Sequence, residues 1–145
     1  DGIRDPFSVS AFLLNRSSDL VRSRISTRKP SMKYESELFV LGDVAEKKDV
    51  GGGVVRQIMG FNDSLMVVRV RFAENAVGYT HAHPHSQVAY VESGVFEFTI
   101  GDETQTLKAG DCAYVPPDAE HGAVCKEEGV LLDIFSPVRE DFLED

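Results

Sequence analysis

His81 and His83 stand one residue apart, Gln87 follows four positions later, and His121 comes after a longer gap. On an extended chain, residues two apart project from the same side, so His81 and His83 share a face. Imidazole nitrogen is the commonest protein ligand for divalent transition metals. A third histidine and the amide oxygen of Gln87 complete a mixed nitrogen–oxygen shell of four ligands, with room left for water or substrate. Such a shell describes a metal centre that does chemistry, not a closed structural one. The remaining histidine, His85, falls in the same half of the chain. Pro84 breaks the strand before it and no partner lies at a matching distance, so His85 reads as an exposed loop residue or a support behind the ligands.

Strands must carry these residues. Short runs bounded by Gly, Pro and Asp recur from Glu37 onward: Leu38–Leu41, Val54–Ile58, Leu65–Phe72, Gln87–Val91, Val95–Ile100, Thr104–Leu107, Cys112–Val115, His121–Val124 and Val130–Phe135. Within them Val68, Val70 and Phe72 alternate with Arg69 and Arg71, and Phe96, Phe98 and Ile100 alternate with Glu97 and Thr99. Gly101-Asp102 between two such runs is a strong hairpin signal. Nothing between Glu37 and Pro137 shows helical periodicity over two turns. The pattern predicts an all-β sandwich or barrel, without internal repeats.

The chain has 145 residues, 42% of them hydrophobic, which supports one soluble domain able to bury a core without staples. No apolar run approaches the length of a membrane span. Charge is uneven: residues 1–31 carry a net +3, whereas residues 32–145 carry −12. So acidic a body repels a phosphate backbone, which excludes nucleic acid as a partner. An anionic small substrate would need a local arginine to overcome the same field. Cys112 and Cys125 lack metal-ligand spacing; a bridge between them is geometrically conceivable, but two free, partly buried thiols in a cytoplasmic protein is the preferred reading.

Residues 1–31 are rich in Ser and Arg and end in Lys29-Pro30-Ser31, just before Met32. They read as a leader or extension of expression-vector origin, with Met32 the natural start and residues 32–145 the folded domain. A Ser/Arg-rich targeting peptide is the other option, and Asp1, Asp5 and Asp19 fit it poorly.

Two spacings carry a family resemblance. His81, His83, Gln87 and Gly94 form the first, and Gly110, Pro116 and His121 the second. Together they resemble the double motif of the cupins, small β-barrels of the jelly-roll type, over roughly residues 37–139. The resemblance implies three ligands from the first motif and the fourth, His121, from the second. Gln87 stands where the family usually has an acid, Asp118 where it has a glycine, and Cys125 where it has an asparagine. Replacing the acid by Gln87 removes a negative charge, which leaves the metal more electrophilic and less tied to one identity; Zn, Ni, Fe, Mn and Co all remain eligible.

The run Leu132-Asp133-Ile134-Phe135-Ser136-Pro137-Val138-Arg139-Glu140-Asp141-Phe142, with His-Ala-His-Pro-His-Ser-Gln, is similar to the KdgF group of cupins. That similarity implies conversion of 4,5-unsaturated uronate monosaccharides, from pectin or alginate breakdown, to the linear 5-keto-4-deoxyuronate. It places Asp133, Phe135 and Arg139 on the active-site positions and implies a homodimer, which exposed barrel edges also favour. The residues agree with it. Asp133 and Phe135 share one face of the last strand, and an ionisable carboxyl facing a barrel interior is costly unless paired or functional. Arg139 can fold back over the mouth and offer a fork to a carboxylate. A non-enzymatic sugar-binding or sensor cupin and a cupin dioxygenase are the alternative readings.

Overall fold

The computed structural model describes residues 32–144, and the expected leader at 1–31 lies outside the described residues. Eight strands form the fold: β1 Lys48–Gly51, β2 Val54–Asn62, β3 Leu65–Phe72, β4 Val77–His81, β5 Ser86–Ile100, β6 Glu103–Lys108, β7 Cys112–Val115 and β8 His121–Ser136. One helical turn, α1 Glu140–Leu143, follows them. Every pairing is antiparallel, in the order β1-β2-β3-β8-β5-β6, with β4 added to β8 and β7 added to β5.

β5 and β8 pair along most of their length and belong to both layers of the barrel. Their halves Ser86–Val91 and Leu131–Ser136 pair with each other and are flanked by β7 and β3. Their other halves, Val95–Ile100 and His121–Glu127, are flanked by β6 and β4. The register shifts between Val91 and Phe96, which is where both strands bend from one layer to the other. Gly94 (φ +83°) and Gly129 make that bend possible, because the two backbones touch there. A Cβ on Gly94 would lie 2.6 Å from Glu127 O, and one on Gly129 would overlap Ser93 O.

Alternation packs the interior. Met66, Val68, Val70 and Phe72 of β3 face Ala89 and Val91 of β5, Phe96 and Phe98 beyond the bend, and Leu131 and Phe135 of β8. Met66, Val68, Val91 and Phe96 are completely buried.

Several expectations change. Gln87–Val91 and Val95–Ile100 are one strand, as are His121–Val124 and Val130–Phe135, because each glycine bends the strand without ending it. Leu38–Leu41 is not a strand. Leu38 and Phe39 are 90% and 83% exposed, and an apolar run pairs only where a sheet edge is offered to it. β1 and β4 escaped the sequence reading, being short and rich in Gly, Lys and Thr. The Gly101-Asp102 hairpin forms as expected, with Ile100 opposite Glu103. Both cysteines are free as expected, but Cys125 is completely buried and Cys112 exposed, so neither is partly buried. No helix of the described residues is long and apolar enough to cross a membrane.

Candidate metal centre and its cavity

The site lies between the two layers. His81 ends β4 and stands opposite His121, the first residue of β8. His83 follows in the connection to β5, and Gln87, near the start of β5, stands opposite Phe135. The long strand β8 therefore delivers His121 at one end and Asp133 and Phe135 at the other.

Ring centroids of His81 and His121 are 4.4 Å apart, and those of His83 and His121 4.8 Å. One nitrogen from each of the three histidines falls within 4.8 Å of the others. The hydrogen bonds select which nitrogen faces inward. His81 Nδ1 lies 2.8 Å from Tyr79 O, and His121 Nδ1 lies 2.9 Å from Ala119 O. A carbonyl can only accept, so each Nδ1 carries the proton and each Nε2 is left with a lone pair. His121 Nε2 is buried and has no partner, a costly state for a polar atom unless a cation uses it. Burial pushes the pKa values of His83 and His121 below the usual imidazole range, which keeps both rings neutral, the form that ligates. These three histidines are placed to hold a metal ion.

Gln87 is buried and connects the cluster to the carboxyl. Its Oε1 lies 2.8 Å from His83 Nε2, while its Nε2 donates to Asp133 Oδ1 at 3.1 Å. The amide oxygen is thus turned toward the histidines and the amide nitrogen away from them, the orientation an oxygen ligand needs. Burial lifts the Asp133 pKa to about 7, with the Gln87 hydrogen bond and the Arg139 charge partly opposing the rise.

Leu131, Asp133 and Phe135 alternate inward along β8 and line a cavity of about 240 Å³ together with His81, Gln87 and His121. That volume sits just below the ~300–1,000 Å³ of pockets for drug-sized ligands, and suits a monosaccharide. Phe135 is only 2% exposed, so it belongs to the core and to the cavity wall at once. Arg139 folds back onto it, with its guanidinium carbon 5.1 Å from the Phe135 centroid. The expected carboxylate fork is present, but the carboxylate is the chain's own. Arg139 Nε and Nη2 donate to Asp141 Oδ1 and Oδ2 at 3.0 and 2.8 Å.

His85 stays outside the three-histidine cluster. It is half-buried instead of exposed, with Nε2 3.2 Å from Val138 O and its ring against Phe135. Asp118, at the family's glycine position, adopts φ +66° and donates its N–H to His83 O at 2.8 Å. Aspartate tolerates that left-handed conformation better than most residues.

Phe142 and Arg56 are among the lining residues that the sequence reading did not place at the site. Phe142 of α1 packs edge-on against Phe135 with centroids 5.8 Å apart. Arg56 of β2 lines the same cavity. A signal for Arg56 did exist: it shares strand parity with Val54 and Ile58, both packed on the core.

The family "Cupin domain" matches residues 68–135. The chain is 43% identical to the pectin degradation protein KdgF of Dickeya dadantii (strain 3937) over 107 residues, 72% of this chain and 97% of that protein. It belongs to the KdgF group of cupins. Solved structures agree. A RmlC-like cupin from Shewanella frigidimarina NCIMB 400 is 50% identical with a TM-score of 0.73, covering 74% of this chain and 97% of its own. The structure of KdgF from Halomonas sp. is 38% identical with a TM-score of 0.70, covering 72% and 98%. In this cupin His81 and Gln87 of the first motif and His121 of the second line one cavity, with Asp133, Phe135 and Arg139 on the same wall.

Proposed function

We propose that this cupin opens the ring of 4,5-unsaturated uronate monosaccharides, released from pectin or alginate, to give the linear 5-keto-4-deoxyuronate. The observation that carries the reading is the Gln87 amide, which joins an ionisable carboxyl, Asp133, to a three-histidine cluster inside a monosaccharide-sized cavity. Membership of a group that includes a pectin degradation protein supports the substrate class.

In such a sugar the ring oxygen is bonded to C5 of a C4=C5 double bond. Removing the C1 hydroxyl proton lets C1=O form while the C1–O5 bond breaks. The electron pair moves onto O5, leaving an enolate, and protonation at C4 then gives the C5 ketone. Atoms balance without water. Asp133 takes the hydroxyl proton and returns one at C4, a task suited to a carboxyl whose pKa lies near neutrality. Phe135 packs against the sugar ring, and the charge of Arg139 favours the anion that develops beside it. His81, His83, Gln87 and His121 would hold the divalent transition metal (Zn, Ni, Fe, Mn or Co), which supplies Lewis-acid stabilisation of negative charge on oxygen.

The same reading takes the protein as a cytoplasmic homodimer. Exposed Leu38, Phe39, Leu41 and Val44, close together in sequence, support a partner surface, and the two unpaired thiols support a reducing compartment. The test is loss of the unsaturated-uronate absorbance when metal-loaded protein meets free monosaccharide. Wild-type protein that leaves the decay rate unchanged would favour a sugar-binding role.

A further inference from the structure

The pairing of β4 with β8 shifts register between Gly78 and His81. Gly78 stands opposite Ala123 and His81 opposite His121, so two residues of β4, Tyr79 and Thr80, face one residue of β8, Gly122. Two against one is a β-bulge, a device that re-aims side chains. A Cβ on Gly78 would meet the ring of buried Phe72, and Ala123 across from it belongs to the core, so position 78 faces inward. Position 81 lies three residues further on, which in a regular strand faces outward. The bulge absorbs the odd step. Tyr79 and Thr80 are both exposed, and His81 turns back to line the cavity, with its ring centroid 4.4 Å from that of His121. A bulge carbonyl also orients the ring, since His81 Nδ1 lies 2.8 Å from Tyr79 O. His81 is the exposed member of the three-histidine cluster, so its direction is set by the backbone and not by surrounding side chains.

The bulge needs room, and Gly122 leaves it. A Cβ at position 122 would lie 2.9 Å from Gly78 O and 3.2 Å from both the N and the Cα of Thr80. All three atoms are backbone of β4, so no rotamer change relieves the contact. Glycine inside a strand marks such a close approach. We propose that Gly122 is a positioning residue of the metal centre, which admits the β4 bulge and thereby turns His81 toward His121 and the ion. Gly122→Ala drives β4 toward the regular register, in which Thr80 stands opposite His121 and His81 opposite Glu120. This role rests on the three histidines holding a metal ion, and not on the ring-opening reaction.

The metal-loaded full chain is titrated with a chromophoric chelator that competes for the ion, with Co(II) as the probe. Turnover of the unsaturated monouronate is measured in parallel. Gly122→Ala should weaken Co(II) binding by roughly 10–100-fold, the range for loss of a support behind a ligand. Gly78→Ala adds a Cβ on the same strand at ordinary contact distance, 3.6 Å or more from its neighbours. It should hold Co(II) within about 3-fold of wild type. Deletion of Thr80 is the decisive variant. It removes the extra residue, so the regular register itself brings His81 opposite His121 and no bulge is required. The deletion should keep Co(II) within about 10-fold of wild type. In that background Gly122→Ala should change the affinity by less than about 3-fold. General damage from a side chain at position 122 would act equally in both backgrounds.

Equal Co(II) affinity in wild type and Gly122→Ala overturns the assignment. So does a loss as large in Gly78→Ala, or a loss from Gly122→Ala of the same size with and without Thr80. Deletion of Thr80 that by itself abolishes Co(II) binding overturns it too, because the regular register would then not bring His81 to His121. Should Gly122→Ala alone not fold, the Thr80 deletion carrying it decides: folded protein that holds Co(II) upholds the role, and unfolded or metal-free protein overturns it. Wild type that holds no Co(II) overturns the metal centre together with this role. Wild type that holds Co(II) and shows the Gly122 dependence, yet leaves the monouronate intact, overturns the ring-opening reading and upholds the role.

Discussion

Gln87 Nε2 donates a 3.1 Å hydrogen bond to Asp133 Oδ1, so the proposed oxygen ligand and the proposed proton carrier are direct neighbours. Gln87→Glu places a second carboxylate against the first. Two carboxylates at that separation share a proton, which moves the Asp133 titration upward from about 7. Metal should be held more tightly, while kcat near neutral pH falls because Asp133 stays protonated and cannot take the C1 hydroxyl proton. The check is the pH profile of kcat, whose ascending limb should move to higher pH. A limb that stays in place with full activity would count against the coupling.

His121→Ala removes the buried Nε2 that has no protein partner. Metal content per chain, measured by elemental analysis, should fall to near zero. Circular dichroism should stay close to wild type, since the completely buried Met66, Val68, Val91 and Phe96 do not depend on the cluster. The lowered pKa values of His83 and His121 carry a sign as well. Both rings remain neutral below the ordinary value of 6.5, so acidification should release metal only below that pH. Equal metal content in wild type and variant would remove His121 from the ligand set.

Asp133→Asn is nearly isosteric and cannot carry the proton. Turnover should fall by roughly 10²-fold or more while substrate affinity holds. Stability gives an independent reading in chelator-stripped protein. The folded carboxyl keeps its proton up to about 7, whereas the unfolded one loses it near 3.8. Its contribution is therefore complete below 3.8, declines as pH rises, and has been lost above about 7. Compared with wild type, the Asn variant should gain more in Tm at pH 8 than at pH 4. An equal difference at both pH values would mean that Asp133 is not shifted.

Gly129→Ala tests the bend that carries β5 and β8 between layers. The new Cβ would overlap Ser93 O, which is backbone and cannot rotate away. The loss should reach about 3 kcal/mol, the upper part of the overpacking range, and lower Tm by roughly 10 °C or more. Gly42→Ala, where a Cβ meets open space, is the control and should change stability by less than about 0.5 kcal/mol. Equal melting of the two variants would show that β5 and β8 can separate there.

Whatever depends on local geometry was legible in the chain itself. The inward parity of Asp133 and Phe135 follows from a period of two that needs no distant partner. The Gly101-Asp102 turn is equally local. Features that require two remote segments to meet were not legible. Gly94 and Gly129 each look like the end of a strand, and only their contact across the bend makes each strand continuous. The run Leu38–Leu41 has strand composition, yet no edge in the described fold pairs with it. Arg139 advertised a fork for a carboxylate, but the return of the chain at α1 decided that Asp141 would fill it. Arg56 lies 83 residues before Arg139, and only closure of the barrel brings both guanidinium groups to the ring of Phe142. Composition and periodicity act within one strand, whereas a cavity belongs to several at once.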